Sequence, residues 1–214
     1  MTFPERLESG YRSFRTGRYT SEKERFEKLA EGQKPRILVI GCCDSRVAPE
    51  LIFDTGPGEL FVVRNVANLV PPCEPDGDYH GTSSAVQFAV QGLKVEHIVV
   101  LGHGQCGGIR AYIEGPGRPR DDTDFIGKWI SLMENAGGKL AREVRDHDDD
   151  LQLSMEQAAI RLSLTNLRSF PFINTLVKAG ELQLHGAWFG IADGRLHVLD
   201  QSTGEFNPVA DKKM

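Results

Sequence analysis

No run in this chain approaches the ~20 apolar residues that a membrane-spanning helix needs, which excludes a helical membrane protein. The N-terminal stretch, residues 1–17, is polar, carries Arg6, Arg12 and Arg15, and lacks the apolar core of an export signal. A cytoplasmic protein with no membrane partner is therefore expected. Basic charge is concentrated nowhere. The 25 Lys and Arg stand against 30 Asp and Glu, a net charge of -5 with the signs interspersed, so no nucleic-acid footprint exists. Cysteine is scarce, at four in 214 residues. Four thiols without an export signal suit metal chemistry in a reducing compartment better than a disulfide framework. Internal repeats and low-complexity segments are also missing, and a chain of this length makes one domain, 1–214, with a sizeable core.

What the chain does have is a series of short, continuous apolar runs. Residues 36–40, 60–64 and 95–101 each read as a strand buried on both faces. Between the second and third, Ala85, Val86, Phe88, Ala89 and Val90 fit a buried helix over residues 82–93. Residues 125–144 and 154–170 have amphipathic helical spacing, and a short helix resumes after Pro171. Ser21-Glu22-Lys23-Glu24 has the form of a capping box opening a helix through Ala30. Near the C-terminus, Asp193-Gly194 between two apolar runs is a hairpin signal. Strands alternating with helices require a parallel sheet with right-handed crossovers. The expected fold class is α/β: a mostly parallel central sheet of about five strands flanked by helices, with an antiparallel C-terminal edge strand. An N-terminal helical arm, 1–32, precedes the core, 33–214.

Two of the strand-like runs end in soft metal ligands. Ile37-Leu38-Val39-Ile40 leads into Cys42-Cys43-Asp44-Ser45-Arg46, and His97-Ile98-Val99-Val100-Leu101 leads into Gly102-His103-Gly104-Gln105-Cys106. In open parallel sheets ligands bind beyond the carboxyl ends of strands, near the point where strand order reverses. Cys42, His103 and Cys106 would give a tetrahedral zinc three protein ligands and one free position, the arrangement of a catalytic site. His-x-x-Cys alone is weak support; the weight comes from both groups occupying equivalent strand ends. Two thiolates and a neutral imidazole cancel the zinc charge, so bound water is less acidic than on a three-histidine site. An acceptor that orients it would help. Asp44 is placed for that role, with Arg46 holding it ionised and turned from the metal. The rival role for Asp44 is the fourth zinc ligand, which would close the site.

With these residues the chain resembles a β-class carbonic anhydrase. Cys42-x-Asp44-Ser45-Arg46 is similar to that family's first zinc motif with its Asp–Arg dyad, and His103-x-x-Cys106-Gly107-Gly108 to its second. The run Pro57-Gly58-Glu59-Leu60-Phe61-Val62-Val63-Arg64-Asn65-Val66-Ala67-Asn68 resembles it closely as well. The resemblance implies one Zn(2+) per chain on Cys42, His103 and Cys106, with Asp44 and Arg46 orienting a zinc-bound hydroxide. It implies reversible hydration of CO2 to bicarbonate and a proton. Gln33 matches the glutamine by which plant-type members hydrogen-bond substrate. Phe61 and Val66 match residues lining their apolar pocket across a dimer interface, and Phe88 stands where they usually have Tyr. Val39 replaces the Trp of bicarbonate-regulated members, although Arg64 is present. A homodimer or homotetramer is implied, with Tyr11, Phe14 and Tyr19 in a clasping arm. Two alternatives stay open: a hydrolase of this type acting on another linear molecule such as carbon disulfide, and a non-catalytic protein with structural zinc.

Other features have plainer readings. Cys43 and Cys73 read as packing residues, and the acidic run at residues 146–150 as a solvated inter-helix turn. His80, His97, His147, His185 and His197 have no partner nameable from sequence. Gly102-x-Gly104-x-x-Gly107 is formally a dinucleotide fingerprint. Its acidic residues would be Asp121 and Asp122, which follow a Gly/Pro/Arg loop instead of ending a second strand, and His103 and Cys106 would go unexplained.

Overall fold

The computed structural model describes residues 3–75, 80–115, 119–134 and 148–210, with side chains from residue 151 in the last of these segments. The chain divides into two compact units, Met1–Lys34 and Pro35–Met214.

The first unit holds helices α1 (Glu5–Thr16), α2 (Arg18–Ser21) and α3 (Lys23–Ala30), none of which buries a residue. Its order comes from aromatic edges: Phe14 packs on Tyr19 and Phe26 with ring centroids 6.0 and 5.6 Å apart, and Arg15 lies over the Tyr19 ring. Leu7 and Tyr11, four residues apart on α1, and Phe3 just before the helix stay exposed, a short apolar stripe. The expected capping box at Ser21 does not form. Ser21 still belongs to α2 and donates its hydroxyl back to the Arg18 carbonyl, so α3 starts after Glu22 with no side-chain cap.

In the second unit six strands form one sheet in the order β2-β1-β3-β4-β5-β6. These are β1 (Ile37–Cys42), β2 (Leu60–Asn65), β3 (His97–His103), β4 (Gln183–Phe189), β5 (Leu196–Leu199) and β6 (Phe206–Pro208). The first four run parallel and the last two antiparallel. The hairpin at Asp193-Gly194 is present, with Gly194 at φ 69, a left-handed conformation glycine takes without a Cβ penalty. The strand it delivers is not the edge, because β6 adds outside it. A three-residue strand ending in proline has too little pattern to be read from sequence.

The helices of this unit are α4 (Pro49–Ile52), α5 (Gly81–Gln87), α6 (Gly107–Glu114), α7 (Phe125–Ile130), α8 (Asp148–Ser169) and α9 (Pro171–Ala179). A π-helical turn, Phe88–Leu93, extends α5, and left-handed Lys94 ends it. Of the helix expected over residues 125–144, the first half is α7 with a 3-10 turn, and residues 135–147 lie outside the described ones. Residues 148–150 of the acidic run belong to α8 instead of forming a turn; Asp146 and His147 lie outside the described residues.

Helix α8 runs along β3 and β4, with Ile160, Leu164 and Leu167 joining Leu38, Ile40, Ile98, Val100 and Leu184 in the main core. The approach is close enough that a Cβ at Gly102 would lie 2.7 Å from Ile160 Cδ1, so any larger residue there would force Ile160 to shift. A smaller cluster at the carboxyl end of the sheet gathers Cys42, Cys106, Ile109, Met133, Met155 and Ala159. No helix among the described residues is long and apolar enough to cross a membrane.

Candidate metal centre

The sheet order puts β1 beside β3, in parallel register with Gly41 opposite Leu101. After β1 the chain goes outward to β2, and it then returns to the other side of β1 as β3. The strand order therefore reverses between the two strands that end in Cys42 and His103. Neighbouring strands lie ~5 Å apart, and the ligand atoms of Cys42, His103 and Cys106 all fall within 4.8 Å of one another. All three residues are buried.

The local geometry fits a cation. Cys42 Sγ and Cys106 Sγ are 3.9 Å apart, and two thiolates ~2.3 Å from a tetrahedral metal would be separated by about 3.8 Å. The His103 ring donates from Nδ1 to the Gly104 carbonyl at 2.9 Å, which leaves the lone pair on Nε2. That nitrogen is buried without a hydrogen-bond partner among the described residues, and an unpartnered buried polar atom calls for an explanation. A metal ion facing Nε2 and both sulfurs supplies one, and a donor fixing the opposite ring nitrogen is the usual setting of a ligating histidine.

The two thiols respond oppositely to one contact. The hydrogen-bond contact with Cys106 pulls the Cys42 thiol well down, against burial, with His103 adding to the effect. The same bond, and then burial, push Cys106 up. The two thiols therefore titrate as a coupled pair. For His103 burial lowers the pKa, but the Cys42 sulfur and the Gly104 carbonyl outweigh it and the net direction is up.

Asp44 stands at the rim. Arg46 grips it with Nε on Oδ1 at 2.9 Å and Nη2 on Oδ2 at 2.7 Å, and the Arg46 backbone N–H adds a third bond at 3.0 Å. These donors hold its carboxyl well below the usual carboxylate range. Its Oδ2 lies 3.9 Å from His103 Nε2. Arg46 also reaches the Gln105 carbonyl at 3.2 Å and so joins the two ligand loops.

The remaining expected site residues are more scattered. Val66, just after β2, belongs to the apolar cluster around Cys42 and Cys106, and its carbonyl accepts from Trp129 Nε1 at 2.7 Å. Phe61 and Phe88 pack on each other with centroids 5.8 Å apart, Phe88 being 52% exposed. Phe61 pairs with Leu38, four residues before Cys42, hence ~13 Å down the strand, so one chain does not bring this pair to the metal cluster. Gln33 belongs to the first unit.

Cys43 is exposed instead of packed; its backbone N–H bonds to Asn65 while Cys42 takes the buried side of the strand end. Cys73 is partly buried against the main core. His97 and His185 are each other's partners, with Nδ1 and Nε2 3.2 Å apart, but His97 opens β3, ~20 Å from His103. Asp121 sits in a turn bonded to Thr123, and α7 follows it.

Sequence reasoning missed three residues that brace the ligand loops. Arg64 donates to the Cys42 and Asp44 carbonyls, both at 2.7 Å. Glu156 accepts from the Cys106 backbone N–H at 2.9 Å, and Gln152 donates to the Cys106 carbonyl at 3.1 Å. One signal was available for Glu156: a carboxylate on the same helical stripe as Ala159 and Ser163, where charge is rarely buried without a reason.

A family model described as carbonic anhydrase matches residues 37–196. The protein named beta carbonic anhydrase 6, mitochondrial, of Arabidopsis thaliana is 34% identical over 208 residues, covering 96% of this chain and 70% of its own. Among solved structures, that of the beta-carbonic anhydrase CcaA superposes with a TM-score of 0.82 at 30% identity, covering 97% of this chain and 92% of its own. One of two tetrameric beta-carbonic anhydrases of the filamentous ascomycete Sordaria macrospora superposes with 0.80 at 29% identity, covering 90% and 94%.

Proposed function

The chain belongs to the β-class carbonic anhydrases, and from that premise we propose that it hydrates CO2 to bicarbonate and a proton at one zinc ion held by Cys42, His103 and Cys106. The observation that carries the ligand set is the orphaned His103 Nε2 facing two sulfurs 3.9 Å apart. When bound, such a metal supplies Lewis acidity that makes water a nucleophile near neutral pH. Loading it requires both sulfurs as thiolates, so uptake is coupled to proton release.

Asp44 is the orienting acceptor in this reading. Arg46 occupies both of its oxygens, which keeps the carboxylate ionised and turned toward the rim, and this supports the open arrangement over closure by Asp44. A carboxylate so held accepts the hydrogen bond of the attacking water and leaves the lone pair of that water free for the carbon of CO2. Val66 would form part of the apolar wall against which the linear substrate rests. Phe61, Phe88 and Gln33 complete the wall and the substrate hydrogen bond from a second copy, in a dimer or tetramer clasped by residues 1–34. The exposed Phe3–Leu7–Tyr11 stripe supports that clasp. A reducing compartment, the cytoplasm, suits a site that depends on two thiols.

Stopped-flow CO2 hydration between pH 6.5 and 9, on protein of known metal content, tests the reading. Turnover rising toward alkaline pH with one zinc per chain is expected. Full metal without turnover at any pH would overturn it in favour of a closed site or another substrate. Sedimentation of a chain lacking residues 1–34 tests the clasp: dispersal to monomers is expected, and an intact dimer would refute it.

A further inference from the structure

Between β3 and α6 the chain must reverse within three residues, and it does so through a strained conformation: Gln105 is a non-glycine residue at φ 56. Such conformations persist only where the surroundings over-determine them. Here the constraints are specific. The Gly104 N–H bonds to the Phe189 carbonyl at 2.9 Å, and the Gln105 carbonyl takes the Arg46 guanidinium. Cys106 is held from both sides of its backbone by α8: its N–H by Glu156 Oε1, its carbonyl by Gln152 Nε2.

Glu156 is 3% exposed and has no cationic partner among the described residues. Its carboxyl instead takes three N–H donors. Cys106 N at 2.9 Å and Gln152 Nε2 at 2.6 Å share Oε1, while Trp188 Nε1 at 2.9 Å takes Oε2. Trp188, on β4, in turn backs the loop, since a Cβ on Gly104 would lie 3.1 Å from its Cζ2. A buried carboxylate without a counter-charge is costly, and a leucine or methionine would fill the same volume more cheaply. A group that accepts at every position and donates at none is needed because all three neighbours are donors. Glutamine has the same shape but turns an NH2 toward one of them.

We propose that Glu156 is a positioning residue of the metal centre, holding the Cys106 peptide so that its sulfur stays 3.9 Å from that of Cys42, with Gln152 as its accessory. This rests on the reading of Cys42, His103 and Cys106 as the metal ligands. Groups that orient ligands without touching the metal typically change its affinity 10–100-fold when removed.

The test uses the full chain loaded with zinc or cobalt, comparing wild type with Glu156→Gln and Gln152→Leu. Chelator competition gives the metal affinity, the thiolate-to-cobalt charge-transfer band reports the sulfur geometry, and unfolding of the metal-free protein reads the fold separately. Glu156→Gln is expected to lose metal affinity by ~10–100-fold and to shift the cobalt band. Gln152→Leu, at a half-buried position, should do the same more weakly while its metal-free stability stays that of wild type. A folded Glu156→Gln with wild-type affinity and an unshifted band overturns the proposal. If Glu156→Gln does not fold, unchanged affinity and band in Gln152→Leu overturn it. A wild-type chain that binds neither metal overturns the ligand assignment itself, an outcome distinct from bound metal that ignores both substitutions.

Discussion

The two loops that carry the candidate metal ligands are held by opposite charges. After β1, the Cys42–Asp44 segment offers carbonyl oxygens, and the Arg64 guanidinium takes two of them at 2.7 Å each. After β3, Cys106 turns its N–H toward the protein, and the Glu156 carboxylate takes it at 2.9 Å. The first loop lies at the open rim with the Asp44–Arg46 pair; the second is sealed under α8. The two thiols meet between the loops, both buried, and their contact pulls Cys42 down and pushes Cys106 up. One loop presents chemistry and the other supplies rigidity, and Arg46 ties them through the Gln105 carbonyl.

The largest effect should come from breaking either loop at its ligand. Cys42→Ser and Cys106→Ser are each expected to lose bound zinc and with it all turnover; metal analysis showing one zinc per chain in both would refute the ligand set. Next is the rim. Asp44→Asn should keep the metal but lose turnover by ~10²–10⁴-fold, the range of a positioned proton-handling group. Zinc content together with kcat decides this, and near-normal kcat would remove Asp44 from the chemistry.

Arg64→Leu strips donors from two carbonyls of the first loop. With about 1.5–3 kcal/mol for a hydrogen bond to a charged group, thermal unfolding should fall by roughly 5–10 °C for a chain of this size. A change below ~2 °C would mean that the first loop does not need its clamp, and the contrast with the second would collapse.

The smallest effect is a pH window. Arg46 depresses the Asp44 pKa in the folded protein. A depressed acid adds stability that is fully present above its unfolded value, about 4, and is lost as pH falls through the folded value. The stability difference between wild type and Asp44→Asn should therefore be constant from pH 7 to 5 and shrink below about pH 4. A difference that does not shrink below about pH 4 would contradict the Asp44–Arg46 assignment. The amplitude will be small, because Arg46 is half exposed and the pair is screened.

Much of the site was legible in the chain. Cys42, Asp44 and Arg46 lie within five residues, His103 and Cys106 within four, and each group follows a short apolar run that reads as a buried strand. The Asp44–Arg46 contact spans two residues, so local sequence suffices to suggest it. The braces were not legible. Arg64 reads as one polar residue ending a strand, and Glu156 lies 50 residues beyond the backbone N–H it accepts. β6 was missed because three residues ending in proline carry no alternation, and the Ser21 cap was misread because the short helix α2 claimed that residue first.

By itself the sequence determined the kinds of candidate ligand, their spacing and the parallel α/β layout, because these depend on local periodicity and on side chains a few residues apart. Only the tertiary structure decided that β1 lies beside β3, that His103 Nε2 is left without a partner, and that a buried carboxylate faces three N–H groups. Those facts depend on strand order and on how α8 crosses the sheet, which are set by packing the whole core at once and are encoded in no single stretch of chain.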